Sequence, residues 1–186
     1  MPLPEHIREF VMAAHGDLAR VQALLAETPE LLNRAHEWRP GDSETAIQGA
    51  AHTGQRAIVE YLLAQGAPLE IPTAAMLGDL ARVQAMLREN PALAQHKSAH
   101  GIPLLPHAAL SGRVEMLELV WGYGAQEGVQ QALNLAVMLG HTEAVRWLLN
   151  NTSPDLNLPN FQGKTPLQVA QEAGFTAIVE LLRSGG

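Results

Sequence analysis

The sequence predicts an all-α solenoid of helix-turn-helix repeats, with short β-hairpin-like or extended fingers between some of the repeats. Three observations favour this fold. Of the 186 residues, 47% are hydrophobic but only 4% are aromatic, so the core has to be built from small side chains, as in stacked helical layers. A glycine-anchored pattern recurs six times, and a longer period of 62 residues relates every second copy.

Each copy of the short pattern begins with small residues that lead to a glycine. An aliphatic residue follows five positions later and another eight positions later, for example Val59 and Leu62 after Gly54. These intervals place both aliphatic side chains on one face of a helix, while the glycine supplies the left-handed backbone that ends the preceding helix. The predicted turn glycines are Gly16, Gly54, Gly78, Gly112, Gly140 and Gly174.

The longer period indicates that a pair of repeats is the repeating unit. Residues 16–25 and 78–87 differ at a single position. In both copies an aspartate, Asp17 or Asp79, follows the glycine and is suited to cap the N-terminus of the second helix. We therefore predict three two-repeat modules. Their longer connections, which we expect to form extended fingers, lie within 26–44, 88–102 and 150–164.

Two copies carry a recognisable motif. One reads Gly163-Lys164-Thr165-Pro166-Leu167 and continues to Ala170, Gly174, Ile178-Val179 and Leu181-Leu182. The other reads Thr45-Ala46-Ile47 and continues to Ala50-Ala51, Gly54, Ile58-Val59, Leu62-Leu63 and Gly66-Ala67. Both resemble the ankyrin repeat family, in which Gly-x-Thr-Pro-Leu-His-x-Ala-Ala leads to a glycine and then to a helix that ends in Leu-Leu. At the position of the family's histidine this sequence has Gln48, Pro106 and Gln168.

The resemblance implies a domain organisation and a mode of binding. It implies one ankyrin repeat domain over 1–186, with repeats at approximately 4–32, 43–68, 70–94, 101–125, 129–152 and 163–186. Proteins of this family generally bind other proteins through the finger tips and through the concave face that the first helices form. The two residues before each turn glycine usually point into that concave face.

The residues at those positions predict an apolar binding strip. The pairs are Ala14-His15, His52-Thr53, Met76-Leu77, Leu110-Ser111, Met138-Leu139 and Glu172-Ala173. In the middle of the array they are apolar, and exposed apolar patches on proteins commonly mark interaction sites. Methionine suits such a surface because its side chain adapts to varied shapes. The alternative is that these side chains belong to the core between the repeats.

The fingers add aromatic and imidazole side chains to the predicted interface. Trp38 has little local core to fill, and aromatic residues of this kind dominate binding energy where a partner buries them. The alternative for Trp38 is that it caps the first pair of repeats. The complete set of predicted partner-binding residues is Trp38, His52, Met76, Leu77, His100, Leu110, Met138, Leu139 and Phe161.

Charge and composition argue against several other classes of function. The formal net charge of −7 and the presence of only two lysines disfavour nucleic acid, which requires clustered basic residues. The chain has no cysteine, so a disulfide framework or a thiolate site is impossible. No stretch approaches the roughly 20 apolar residues of a membrane span, and the N-terminus lacks the pattern of a secretion signal. We therefore expect a cytoplasmic protein with no membrane contact.

The sequence also argues against catalysis and against a bound metal or cofactor. His96, His100 and His107 are the nearest group of histidines along the chain, but Pro103 and Pro106 disfavour the helix that would bring them together. An open solenoid offers no closed pocket for an acid and base pair. We predict a monomeric, non-catalytic protein-interaction module. The alternatives are a small-ligand or metal binder that uses histidine-rich fingers, and a scaffold that assembles with itself through the apolar strip.

Overall fold

The computed structural model describes residues 2–185 and confirms the helical solenoid. Within this range twelve α-helices form six pairs, and two short strands form one hairpin. The first helices of the pairs are α1 (Pro4–Ala13), α3 (Ala46–His52), α5 (Ile71–Leu77), α7 (Leu104–Leu110), α9 (Val129–Met138) and α11 (Pro166–Glu172). The second helices are α2 (Leu18–Glu27), α4 (Arg56–Ala64), α6 (Leu80–Glu89), α8 (Val114–Gly122), α10 (Thr142–Asn151) and α12 (Thr176–Ser184). The strands are β1 (Ala35–Arg39) and β2 (Asp42–Thr45).

The first helices stack side by side and form the inner row of the solenoid. Each of them packs against the next one along the chain, and α3 also contacts α7, so this row lies on the inside of a curve. The close approach is possible because alanines occupy the contact. Ala50, Ala74, Ala108, Ala132 and Ala170 are all completely buried. No helix among residues 2–185 is long and apolar enough to cross a membrane.

Buried apolar side chains form two clusters. The first lies among α1 to α4 and includes Phe10 and Leu62. The second extends from α5 to α12 and includes Leu117 and Leu133. Met76 from α5 and Leu110 from α7 belong to the first cluster. These two side chains therefore join the core of the first four helices to the rest of the solenoid.

Five of the six turn glycines adopt the left-handed conformation, and Gly16 does not. The φ angles of Gly54, Gly78, Gly112, Gly140 and Gly174 lie between +70° and +74°. At Gly16 the prediction of a left-handed residue was wrong. The amide of Asp17 there bonds to the carbonyl of Ala13 at 2.8 Å, four residues back, as within a helix. In the last repeat, by contrast, the amide of Phe175 reaches back five residues to the carbonyl of Ala170 at 2.9 Å, which requires the left-handed turn.

Replacing single turn glycines by alanine should show which turns require the left-handed conformation, because only those turns lose stability. At Gly174 φ is +74° and an added Cβ would meet no atom within 4 Å, so Gly174→Ala introduces backbone strain alone. We expect it to lower the free energy of unfolding by about 1 kcal/mol. Gly16→Ala should leave stability unchanged or slightly higher, because its φ is not positive and the nearest atom lies at 3.9 Å. Urea unfolding measures both changes, and equal losses would contradict the assignment of Gly16.

The cap prediction is confirmed, and the three fingers differ from one another. The carboxylates of Asp17 and Asp79 accept the amides of Arg20 at 2.9 Å and Arg82 at 3.0 Å. In the first finger β1 and β2 pair antiparallel. The second finger is mostly not extended, since 3₁₀ turns occupy Pro91–Gln95 and Ala99–Gly101. The third finger, over 152–165, contains turns and no strand.

Candidate functional site

Several of the exposed apolar side chains collect around one cleft. It has a volume of about 640 Å³ and lies between the end of α3, the helix α9 and the third finger. Met138 and Phe161 line it and are 39% and 85% exposed, and Leu139, at 41%, follows at the end of α9. The lining consists of His52, Thr53, Gln130, Gln131, Asn134, Leu135, Met138, Leu158, Pro159, Asn160 and Phe161.

A polar turn fixes the third finger where Phe161 projects. The side-chain oxygen of Asn160 accepts the amides of Gln162 at 2.9 Å and Lys164 at 3.1 Å. The finger is also tied to α9, because the amide of Asp155 donates to the side chain of Gln130 at 2.9 Å. These bonds hold the finger as one wall of the cleft, with the ring of Phe161 open to a binding partner.

The cleft offers apolar contact and hydrogen bonds but no permanent charge. None of its lining residues is Asp, Glu, Lys or Arg. The amides of Gln130, Gln131 and Asn134 can each donate and accept hydrogen bonds, as a peptide backbone requires. The volume is within the range of sites that hold a small ligand or a few large side chains. An uncharged segment with apolar side chains therefore fits the cleft best.

Two residues of the predicted apolar strip do not reach the surface. Met76 is 2% exposed and Leu110 is 6% exposed, so the prediction that they contact a partner was wrong and the core alternative holds for both. Both side chains pack into the apolar cluster of the first four helices, and the turn after α3 leaves space for Leu110. A Cβ on Gly54 would meet Leu110 Cδ2 at 3.4 Å. Leu77 is half-buried and packs against the same cluster.

Three other predicted residues converge on the buried carboxylate of Glu44. Trp38 Nε1 donates to Glu44 Oε2 at 2.8 Å. His52 Nε2 lies 2.7 Å from Oε1, and His100 Nε2 lies 3.4 Å from the same oxygen. His15, from the turn after α1, has its Nε2 at 3.5 Å from Oε1. We refer to these five residues as the Glu44 cluster.

Outer hydrogen bonds orient two of the histidines in the cluster. His15 Nδ1 lies 2.9 Å from the carbonyl oxygen of Val11. His100 Nδ1 bonds to Asp42 Oδ2 at 3.0 Å, and its backbone amide donates to Asp42 Oδ1 at 3.0 Å. These two bonds hold His100 at a φ of 60°, a left-handed conformation that a residue with a side chain rarely adopts. The first and second fingers are thus tied together beside Glu44.

Electrostatics within the cluster favour an ionised carboxylate that faces positive charge. Burial raises the pKa of Glu44, but the hydrogen bonds and the charges of His15 and His52 outweigh it, so this pKa lies well below its usual range. The bond with Glu44 raises the pKa of His15, while burial opposes the rise. The bonds from His100 lower the pKa of Asp42. The cluster is therefore a place where protons or another cation are stabilised.

The sequence pattern predicts Trp38, His52 and His100 as partner-binding residues and gives no indication of Glu44. It includes His15 only among the residues before a turn glycine. A signal was available, because His15 and His52 each lie within the two residues before a turn glycine in the first two repeats, where side chains usually face the inner surface. Of the three histidines considered for a metal, His100 alone joins the cluster. His107 is completely buried on α7, with its Nδ1 bonded to the carbonyl of Pro103 at 2.9 Å.

The stacked helix pairs, the left-handed glycine turns and the cleft on the inner row define a helical repeat protein. Residues 71–186 match the family described as ankyrin repeats, with three copies. This match covers more than half of the chain, and the chain belongs to the ankyrin repeat family. The resemblance in the sequence is therefore confirmed.

A curated relative from an insect-associated virus matches part of the chain. Over 75 residues the chain is 31% identical to the I-Kappa-B like protein C2 of Microplitis demolitor bracovirus (isolate Webb). The matched region covers 38% of this chain and 41% of the relative. The chain thus matches less than half the length of that protein.

Proposed function

We propose that this protein is a non-catalytic protein-interaction module that holds a segment of another protein in the cleft between α9 and the third finger. The observation that supports this function is the cleft itself, with exposed Met138, Leu158 and Phe161 around uncharged amides. Ankyrin repeats generally mediate protein–protein interaction, and the relative named I-Kappa-B like protein belongs to the same kind of repeat protein.

A binding role suits the chemistry of the cleft better than catalysis. Among residues 2–185, His52 is the only titratable side chain in the lining, and its Nε2 lies 2.7 Å from the buried Oε1 of Glu44. Exposed Phe161, by contrast, can bury a large apolar area on a partner. Such aromatic anchors often contribute 2 kcal/mol or more to binding.

Substitutions in the cleft should abolish capture of the partner without unfolding the protein. Phe161→Ala and Met138→Asp should each reduce recovery of specifically bound polypeptides from host extract at least tenfold, because they remove an anchor or place a charge in an apolar site. Met12→Asp is the matched control, since Met12 is also exposed, at 50%, and lies outside the cleft. Quantitative mass spectrometry measures recovery, and circular dichroism checks that the helices remain.

Two alternative outcomes distinguish other functions of the same cleft. If recovery is equal for all three variants, the cleft is not the protein-binding surface, and a small ligand becomes the better candidate for a cavity of this volume. If light scattering shows that the protein associates at rising concentration, and Met138→Asp restores a monomer, the occupant is a second copy. We expect a monomer at all concentrations.

A further inference from the structure

The ligand-bearing atoms of His15, Glu44 and His52 lie close enough together to bind one ion. All three atoms are within 4.8 Å of one another. The carboxylate oxygen Oε1 is 2.7 Å from the Nε2 of His52 and 3.5 Å from the Nε2 of His15. With bonds of about 2.0 to 2.1 Å to Zn²⁺, tetrahedral ligands lie about 3.3 Å apart. The two observed distances bracket that value.

The hydrogen bonds around these atoms are those that metal ligands require. Because the carbonyl of Val11 only accepts, the Nδ1 of His15 carries a proton, and in the neutral imidazole Nε2 then presents a lone pair to Glu44. A lone pair that faces a carboxylate oxygen is repulsive unless a proton or a cation lies between them. Trp38 donates to Oε2 and leaves Oε1 for that cation. Metal-bound histidines commonly bond their other nitrogen to a carbonyl or a carboxylate in this way.

A glycine in α3 leaves room for this arrangement, although glycine lowers the stability of a helix. Gly49 lies in the middle of α3, where glycine costs about 1 kcal/mol relative to alanine. A Cβ at this position would lie 2.8 Å from His15 Cε1 and 3.3 Å from Glu44 Oε1. The absent side chain is what lets His15 approach the carboxylate.

The residues around these three ligands determine which kind of ion the site favours and how the ion reaches it from solvent. Glu44 is completely buried, whereas the side chains of His15 and His52 are 28% and 15% exposed, so the site can be reached from solvent. His100 Nε2, at 3.4 Å from Oε1, covers the site from the second finger. Two imidazoles and one carboxylate, with no thiolate, are typical ligands of Zn²⁺ and related ions.

We propose that His15, Glu44 and His52 form a binding site for a divalent transition-metal ion of the zinc class, with the fourth position left to water. The ion joins the turn after α1, the strand β2 and the helix α3, and so holds the first finger against the first two repeats. His52 also lines the cleft, so the bound ion fixes one of the cleft walls.

Metal titration of the full chain without a polyhistidine tag tests this site. After treatment with EDTA, calorimetry should show one Zn²⁺ per chain, and Co²⁺ should give the intense visible absorption of a four-coordinate ion. His15→Gln and His52→Gln should each weaken Zn²⁺ binding at least a hundredfold. His6→Gln is the matched control, because His6 is exposed on α1 and lies outside the cluster.

A pair of glycine variants tests the geometry without removing any ligand. Gly49→Ala should preserve the helices but displace His15, and so weaken Zn²⁺ binding at least tenfold. Gly122→Ala is its control, since that glycine also lies in a helix and an added Cβ would meet nothing within 4 Å. The site is refuted if wild-type protein binds neither ion, or if His15→Gln, His52→Gln and Gly49→Ala all bind as tightly as wild type.

Discussion

Glu44→Ala is expected to lower the free energy of unfolding of the metal-free protein by about 3 kcal/mol. The completely buried carboxylate accepts from Trp38 and lies beside three imidazoles. Removing one partner of a buried ion pair typically costs about 3 to 5 kcal/mol, because the other charge stays buried and unpaired. The lower value applies here because the side chains of His15 and His52 are partly exposed, so water can replace the carboxylate. Urea unfolding at pH 7 in EDTA measures the change.

The loss should be concentrated in the first two repeats. Hydrogen exchange is expected to accelerate in α1 and the turn after it, in α3 and in the β1–β2 hairpin, and to remain slow in α8 and α10. The turn, α3 and the hairpin supply four of the five residues of the Glu44 cluster. Glu60→Ala is the matched control, because Glu60 is exposed and pairs only with Arg56, four residues away on α4. Such a surface pair contributes about 0.3 to 0.5 kcal/mol. Equal losses in the two variants would show that the cluster does not stabilise the fold.

The helical pairs could be predicted from the sequence because their signal is local and repeated. Each turn glycine with its aliphatic residues specifies one helix face, and an error at one copy is corrected by the other copies. Gly16 shows the limit of this reasoning. The seven residues after it are identical to those after Gly78, yet the hydrogen bond from Asp17 to Ala13 continues the geometry of α1. The conformation of a turn depends on the helix before it as well as on the turn residues.

The exposure of the inner side chains could not be predicted, because it depends on how the repeats curve. Met76 and Met138 occupy the same position before a turn glycine. Met76 is buried in the apolar cluster of the first four helices, whereas Met138 is exposed and lines the cleft between α9 and the third finger. A pattern of residue types does not determine how closely neighbouring repeats and fingers pack.

The Glu44 cluster could not be predicted from the sequence because its members are distant along the chain. Asp42 and His100, which bond to each other beside it, are 58 residues apart. Their meeting requires that the second finger fold back against the first, which no local motif indicates. The clue that a sequence can carry is smaller. His15 and His52 both lie within the two residues before a turn glycine in adjacent repeats, and a buried acid nearby is a suitable partner for them.

Acidification is expected to destabilise the protein through His107, a group that the binding sites do not use. Burial lowers the pKa of His107 to about 4, assisted by the nearby His52 and His96, although its bond to the carbonyl of Pro103 opposes the shift. In the unfolded chain its pKa is about 6.5. As pH falls below about 6.5, His107 therefore becomes protonated in the unfolded chain. In the folded protein it stays neutral until the pH approaches about 4. Stability is lost over that interval, by about 2 to 3 kcal/mol between pH 7 and pH 4.5.

The variant His107→Leu separates this contribution from that of the carboxylates. The Nε2 of His107 is buried without a hydrogen-bond partner, so leucine removes an unsatisfied acceptor as well as the titrating group, at the cost of the bond to Pro103. Urea unfolding in EDTA at pH 7 and at pH 4.5 should show a loss that is about 2 kcal/mol smaller in the variant than in the wild type. His6→Gln, at an exposed histidine, should retain the full loss. Parallel losses in wild type and His107→Leu would mean that the imidazole accepts its proton inside the folded protein as readily as outside it, which its complete burial on α7 argues against.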